Sequence, residues 1–240
     1  MKKGLFSAVA VLLLQAAAAH ADFVVPPVPT FVGPVTEGGD MYPGLRPEEP
    51  GTTAADFGYA TDEYFVSGTA NGQPYKTRIL VRRPVLAERF GGIVVSESMH
   101  SNGFAVTFEP ARKSFFMRGY VHVEIAAQTT NITTLKTFNP VRYATMSIPS
   151  GQQTSEIIAQ VGVLMKSNLS NGPLAPLSVR RLVMEGTSQA SGVLRTYQSQ
   201  KHFQSRMADG SAIMDGYLAT STLGSAPMMV VDVPTVHMPR

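Results

Sequence analysis

The chain has 240 residues, 44% of them hydrophobic and 15% charged, a composition that fits one globular domain with a substantial core and excludes intrinsic disorder. Its formal charge is +3, and setting Lys2 and Lys3 aside leaves 18 basic against 17 acidic residues, a balance that gives no electrostatic case for a nucleic-acid or anionic-membrane partner. The absence of cysteine excludes disulfides, zinc–thiolate sites and a cysteine nucleophile.

Residues 1–21 have the three parts of a secretory signal peptide. Two lysines precede an apolar segment, and Ala19-His20-Ala21 provides the small residues that predict cleavage before Asp22. The apolar segment is far shorter than the ~20 residues that cross a bilayer. The sequence therefore predicts export to a periplasm or beyond, with no membrane attachment after cleavage.

Residues 22–55 are rich in proline and glycine, which disfavour helices and central strands. We expect an extended arm that lies on a domain formed by residues 56–240. That domain opens with two β-rich runs around Asn71-Gly72, the pair best suited to a turn with positive φ at both central positions. These runs predict an antiparallel hairpin.

After the hairpin, strand and helix patterns alternate. Strands are predicted at 91–98, at 120–128, at 178–186 and at 212–221, with one more near the end in APMMVVDVP. Helices are predicted at 108–120, at 154–168 and in SQASGVLRTYQSQ, whereas the Thr-, Asn- and Pro-rich stretch after residue 128 is predicted to be a loop. This order is typical of an α/β fold with a mostly parallel sheet, led here by an antiparallel hairpin.

The sequence from Gly186 to Ala190 matches G-x-S-x-G with alanine in the last place. It lies between a predicted strand and a predicted helix, the setting of a nucleophile elbow. Ser188 is therefore the candidate nucleophile, and the backbone N–H of Gln189 is a candidate oxyanion donor. The alternative is a tight turn that needs small residues for packing alone.

The loop MHSNGF, residues 99–104, follows an earlier strand and is predicted to supply the second oxyanion amide. Its asparagine and glycine permit backbone geometry that turns amides inward. From loop position alone, Met99, His100, Gly103 and Phe104 are predicted to line the substrate pocket.

Three segments together resemble an α/β-hydrolase domain family of largely uncharacterised proteins: RGYVHVEIAAQ, VRRLVMEGTSQASG and MDGYLATS. The resemblance extends from about Glu63 to Pro234. It implies a serine hydrolase fold, with Ser188 matching the nucleophile position and the loop at 99–103 matching the oxyanion loop. It implies no particular substrate.

In this fold the nucleophile precedes the acid, and the acid precedes the histidine. Asp232 and His237 have that order and are the candidate acid and base, although five residues leave no room for a helix and a strand between them. His202 lies about four turns along the helix that Ser188 opens, too far to reach the serine, and is expected to place a favourable charge near that helix's C-terminus. The alternative is that the chain ends before the strands that carry the acid and the histidine, which would leave the domain incomplete at its C-terminus.

The sequence predicts no cofactor and no metal, because no group of histidines and carboxylates has metal-ligand spacing. The predicted function is cleavage of an ester or related acyl bond in a small molecule, with Ser188 as nucleophile. The alternative is a non-catalytic or truncated domain that binds a ligand in the same cleft and lacks the acid and the histidine.

Overall fold

The computed structural model describes residues 23–222 and 228–239. The predicted signal peptide and its cleavage site lie outside the described residues. The strands are β1 (Thr30–Val32), β2 (Tyr59–Ala70), β3 (Gln73–Pro84), β4 (Ile93–Ser98), β5 (Val121–Ile125), β6 (Arg181–Thr187), β7 (Gly216–Thr222) and β8 (Thr235–Pro239). The α-helices are α1 (Phe108–Met117), α2 (Thr129–Phe138), α3 (Thr154–Lys166) and α4 (Gln189–Lys201). Within the described ranges, no helix has the length and apolarity needed to span a bilayer.

The described strands form one mixed sheet in the order β1-β2-β3-β5-β4-β6-β7-β8. Pairs from β1 to β5 are antiparallel, and the pairs from β5 through β4, β6 and β7 to β8 are parallel. Asn71 and Gly72 form the turn between β2 and β3 with φ of 48° and 70°. The predicted α/β fold, with a mostly parallel sheet and an N-terminal antiparallel hairpin, is confirmed.

Helices cover both faces of the sheet. On β5, the ring of His122 stacks on Phe108 of α1 at a centroid distance of 4.0 Å. On the other face, Gly162 of α3 lies against Leu182 of β6. Leu182 and Glu185 are three residues apart in this strand, so their side chains point to opposite faces of the sheet. Because successive strand residues point to opposite faces, α1 and α3 enclose the sheet as two outer layers.

The stretch predicted to be a loop after β5 is helix α2, so that prediction is wrong. Its threonines have low helix propensity, which explains the expectation. The helix forms because the Gln128 N-cap and Asn131 make a capping box, and because Ile132 and Leu135 are buried against the core. Tertiary packing therefore overrides the local preference.

The last predicted strand before the C-terminal segment begins at Gly216 rather than at residue 212. Asp215 is not part of a strand: its carboxylate accepts the backbone N–H of Leu182 at 2.7 Å and pairs with Lys166 at 2.7 Å. These contacts hold the chain just before β7, and they give Asp215 a structural role.

The proline- and glycine-rich segment lies along the sheet and is bound there by arginine side chains. Arg78 donates to the carbonyl of Tyr42 at 2.6 Å, and Arg82 donates to the carbonyl of Pro43 at 2.8 Å. Arg142 donates to the carbonyl of Gly39 at 2.9 Å. Since these three carbonyls belong to no helix or strand, the arginines satisfy backbone groups that would otherwise need water.

The same arginines belong to a buried row of ion pairs on one face of the sheet. Arg78 pairs with Glu63 at 3.1 Å and with Glu124, and all three side chains are fully buried. Arg142 pairs with Glu63 at 2.7 Å, and Arg82 lies 3.6 Å from Glu124. Buried charges of this kind persist only where each has a partner.

We expect Arg78→Met to lower the free energy of unfolding by about 3–5 kcal/mol, because it breaks two buried ion pairs and leaves Glu63 with Arg142 alone and Glu124 with the more distant Arg82. The matched control is Arg83→Met, which removes a partly exposed pair with Asp62 and should cost about 0–1 kcal/mol. Urea denaturation of the two variants and the wild type measures both values. Equal losses of unfolding free energy in Arg78→Met and Arg83→Met would contradict the structural importance of the buried ion pairs.

Candidate active site

Ser188 occupies a sharp turn between β6 and α4. Its φ of 57° and ψ of −119° lie in a region that non-glycine residues rarely adopt. A Cβ added to Gly186 would lie 2.6 Å from the carbonyl oxygen of Ala190 and 3.0 Å from the nitrogen of Ser191. The small residues on both sides of Ser188 are therefore required by the close approach of the chain to itself.

The Ser188 side chain is half-buried and faces a cavity of about 1100 Å³. Gln189 is the first residue of α4, so its backbone N–H has no acceptor within the helix. An N–H in this position, beside a serine hydroxyl, can donate to a developing oxyanion.

Every backbone N–H in the loop at 99–104 already donates a hydrogen bond. The acceptors are Ile125 O for Met99 (2.9 Å), Phe104 O for His100 (3.0 Å), Gln189 Oε1 for Ser101 (3.2 Å), His100 Nδ1 for Asn102 (3.1 Å), His100 O for Gly103 (2.8 Å) and Asn102 Oδ1 for Phe104 (3.1 Å). The loop is thus adjacent to the elbow, and it reaches the elbow through the side chain of Gln189.

The cavity at Ser188 extends along α4 and past the N-terminal ends of α2 and α3. It is not lined by Met99, His100, Gly103 or Phe104. Met99, predicted to line the substrate pocket, is completely buried in the hydrophobic core and does not line this cavity. Gly103 is also buried, while His100 and Phe104 are half-buried on the loop outside this cavity.

The structure places Asp232 and His237 with different partners. Asp232 accepts from His202 Nε2 at 2.5 Å and from Arg206 Nη2 at 3.0 Å. His237 lies in β8, where its Nε2 is 2.6 Å from the Thr222 hydroxyl. In the part of the chain that the structure describes, the candidate acid and base are therefore not joined to each other by a hydrogen bond.

His202, which was expected to place a favourable charge near the C-terminus of α4, is a buried residue. Its Nδ1 lies 2.8 Å from the Tyr217 hydroxyl, and its Nε2 donates to Asp232. Burial lowers the pKa of His202, which favours the neutral ring. The side chain connects α4 to β7 and to the segment before β8.

Sequence reasoning missed a buried cluster of Glu97, His122 and Glu185, whose ligand-type atoms all lie within 4.8 Å of one another. The residues come from β4, β5 and β6, and Glu97 and Glu185 are directly paired in the sheet. A glutamate inside each of two apolar strand runs was the available signal. Their spacing along the chain could not reveal the cluster, because adjacent strands bring together residues far apart in sequence.

Two carboxylates and an imidazole are a possible donor set for a cation, but the hydrogen bonds of His122 oppose that role. Arg82 Nη1 donates to His122 Nδ1 at 3.1 Å, so the neutral ring must carry its proton on Nε2. That nitrogen lies 3.5 Å from Glu97 Oε2. A protonated nitrogen is not a metal ligand, so the cluster is better suited to holding protons than to holding an ion.

The two carboxyl groups of the cluster differ in their partners. Glu97 accepts the backbone N–H groups of Thr107 and Phe108 at 2.8 and 3.0 Å, at the start of α1. Burial nevertheless raises the pKa of Glu97 to about 6. Burial, together with the nearby charge of Glu97, raises the pKa of Glu185 well above its usual value of 4.5. Glu97 is therefore the ionised member and Glu185 the protonated one.

A mostly parallel sheet covered on both faces, with a serine at positive φ between a strand and the next helix, defines the α/β-hydrolase class. Residues 31–236 match the family described as the alpha/beta hydrolase domain, and the chain belongs to that family.

Several solved esterases are similar in structure. A brefeldin A esterase, described as a bacterial homologue of human hormone-sensitive lipase, has a TM-score of 0.45 and 14% identity over 75% of this chain and 44% of its own. Esterase Est22 has a TM-score of 0.47 and 13% identity over 72% of this chain and 47% of its own. A carboxyl esterase from Bacillus coagulans has a TM-score of 0.41 and 14% identity over 69% of this chain and 45% of its own. The chain spans less than half the length of each of these structures, and no curated protein matches its sequence.

We expect Gly186→Ala to lower the free energy of unfolding by about 1–3 kcal/mol, because the added Cβ overlaps the backbone of Ala190. Gly192→Ala in the same region is the control: its Cβ would meet no atom within 4 Å, and the helix should gain about 0.5–1 kcal/mol. Thermal or urea denaturation checks both. An unchanged free energy of unfolding in Gly186→Ala would show that the elbow tolerates a side chain at this position.

Glu185→Gln should change the pH dependence of stability. The raised pKa of Glu185 in the folded state contributes stability that is fully present below pH 4.5 and is lost as the pH rises through the folded-state pKa. Above pH 4.5, this one group should lower the wild-type free energy of unfolding by up to about 1.4 kcal/mol per pH unit. Denaturation at a series of pH values should show a flatter profile for Glu185→Gln, whereas the exposed control Glu88→Gln should follow the wild type.

Proposed function

We propose that this protein is a serine hydrolase that cleaves an ester or a related acyl bond of a small molecule, with Ser188 as the nucleophile. The observation that carries the proposal is the strained backbone of Ser188, with φ of 57°, at the start of a helix whose first N–H has no acceptor within the helix. A turn that only needed compact packing could place an ordinary residue there in relaxed geometry. Membership of the alpha/beta hydrolase domain family supports the same function.

In the proposed reaction the Ser188 hydroxyl oxygen attacks the carbonyl carbon of the substrate, and a base removes the hydroxyl proton. The carbonyl oxygen becomes an oxyanion that accepts the Gln189 backbone N–H. Collapse of this intermediate expels the alcohol, which takes the proton, and leaves an acyl group on Ser188. Water then attacks the acyl carbon, releases the carboxylic acid and restores the serine.

Among the described residues, Asp232 and His237 remain the candidate acid and base. Each would have to exchange its present partner to serve, since Asp232 is bonded to His202 and His237 to Thr222. These bonds favour the second candidate function, a non-catalytic domain that binds a ligand in the cavity at Ser188. The signal-peptide pattern of residues 1–21 supports the further proposal that the protein acts outside the cytoplasm.

We expect a fluorophosphonate probe to label the full chain at Ser188, because such probes react only with an activated serine. Ser188→Ala should lose the label entirely. Ser199→Ala is the control, since that serine lies on the exposed side of the same helix, and it should label at the wild-type rate. Mass spectrometry of the adduct identifies the modified residue. A folded wild-type protein that takes no label would favour the non-catalytic function.

A further inference from the structure

Three hydrogen bonds made by the side chains of Gln189 and Gln128 connect the elbow to the loop at 99–104. The backbone N–H of Ser101 donates to Gln189 Oε1 at 3.2 Å. The amide Nε2 of Gln189 donates to Gln128 Oε1 at 2.6 Å, and Gln128 Nε2 donates to the carbonyl of Met99 at 3.0 Å. The series begins and ends on the same loop, and Gln189 and Gln128 are its two inner members.

Ser101 differs from its neighbours in this loop. The other loop amides donate to β5 or to acceptors within the loop itself, and those bonds shape the turn. Ser101 donates only to a side chain of the elbow. Its N–H can therefore change partner while the turn keeps its other bonds.

The acceptor at Ser101 is chemically similar to a substrate. The Gln189 side chain ends in an amide carbonyl, whose oxygen accepts hydrogen bonds as the carbonyl oxygen of an ester or amide does. The same residue contributes the backbone N–H next to Ser188, which has no acceptor within the helix. Both Gln189 and Gln128 border the cavity that contains Ser188, so the side chain has space into which it can move.

We propose that the Gln189 side chain is a displaceable latch on the second oxyanion donor, the backbone N–H of Ser101. In the resting protein the side-chain oxygen covers this N–H, and the carbonyl oxygen of the substrate displaces it and binds the Ser101 and Gln189 N–H groups together. The inference rests on the proposed function of Ser188, and it adds a residue that controls access to the oxyanion position.

A latch role and a purely structural role for Gln189 predict opposite changes in the reaction rate of Ser188 when the side chain is removed. If Gln189 competes with the substrate oxygen, its removal should speed the reaction of Ser188 by about 2–10-fold, the equivalent of one net hydrogen bond. If Gln189 only holds the loop in place, its removal should slow the reaction.

The test uses Gln189→Leu in the full chain, which keeps the approximate size of the side chain and removes its hydrogen-bonding groups. NMR should show slow hydrogen exchange of the Ser101 amide in the wild type and faster exchange in the variant. The second-order rate of labelling by a fluorophosphonate should rise about 2–10-fold. The control is Gln73→Leu, the same change on an exposed strand residue. It should alter neither the exchange rate of the Ser101 amide nor the labelling rate.

Gln128→Leu leaves the residues of the elbow unchanged and breaks the bond that holds the Gln189 amide, together with the bond to the Met99 carbonyl and the side-chain cap of α2. In a variant that keeps the wild-type helix content, both measurements should shift in the same direction as in Gln189→Leu. Gln128→Leu preserves the test if Gln189→Leu does not fold. Unchanged exchange at Ser101, or faster exchange with slower labelling, would overturn the latch. A wild-type protein without any label would contradict the proposed function and the displacement by substrate, while the exchange rates would still show whether Gln189 covers Ser101.

Discussion

The requirement to neutralise buried arginines on β3 organises the N-terminal half of this protein. Arg78 lies between Glu63 and Glu124 with no exposure to solvent, and Arg82 is almost as deeply buried. Beyond these ion pairs, Arg78 donates to the carbonyl of Tyr42, and Arg82 donates to the carbonyl of Pro43. The proline- and glycine-rich segment is therefore an integral cover of the sheet, because it supplies acceptors that the arginines need.

The charged row continues towards the elbow and connects the core to the site. Glu97 accepts the first N–H groups of α1, which begins shortly after the loop at 99–104. It is paired across the sheet with Glu185, three residues before Ser188. The proton on Glu185 leaves one negative charge in this pair instead of two. In the reaction proposed for Ser188, a second charge there would oppose the formation of the oxyanion.

The elements that could be predicted from sequence are those with local causes. Asn71-Gly72 imposes its turn through backbone preference, and the small residues around Ser188 indicate a tight strand-to-helix turn because a Cβ at Gly186 has no space. Helix α2 was not predictable in this way, because it depends on a cap at Gln128 and on burial of an apolar face. The roles of His202 and Met99 also depended on burial, which periodicity indicates only in part.

The sequence by itself determined the alternation of strands and helices apart from α2, the hairpin and the tight turn at Ser188, since each follows from the conformational limits of a few consecutive residues. Only the tertiary structure decided the partners of the charged and amide side chains. It placed Glu97 beside Glu185, Asp232 beside His202, and Gln189 against Ser101. The physical reason is that a hydrogen bond or ion pair depends on distance in space, and residues 30 to 90 positions apart become neighbours only when the sheet has formed.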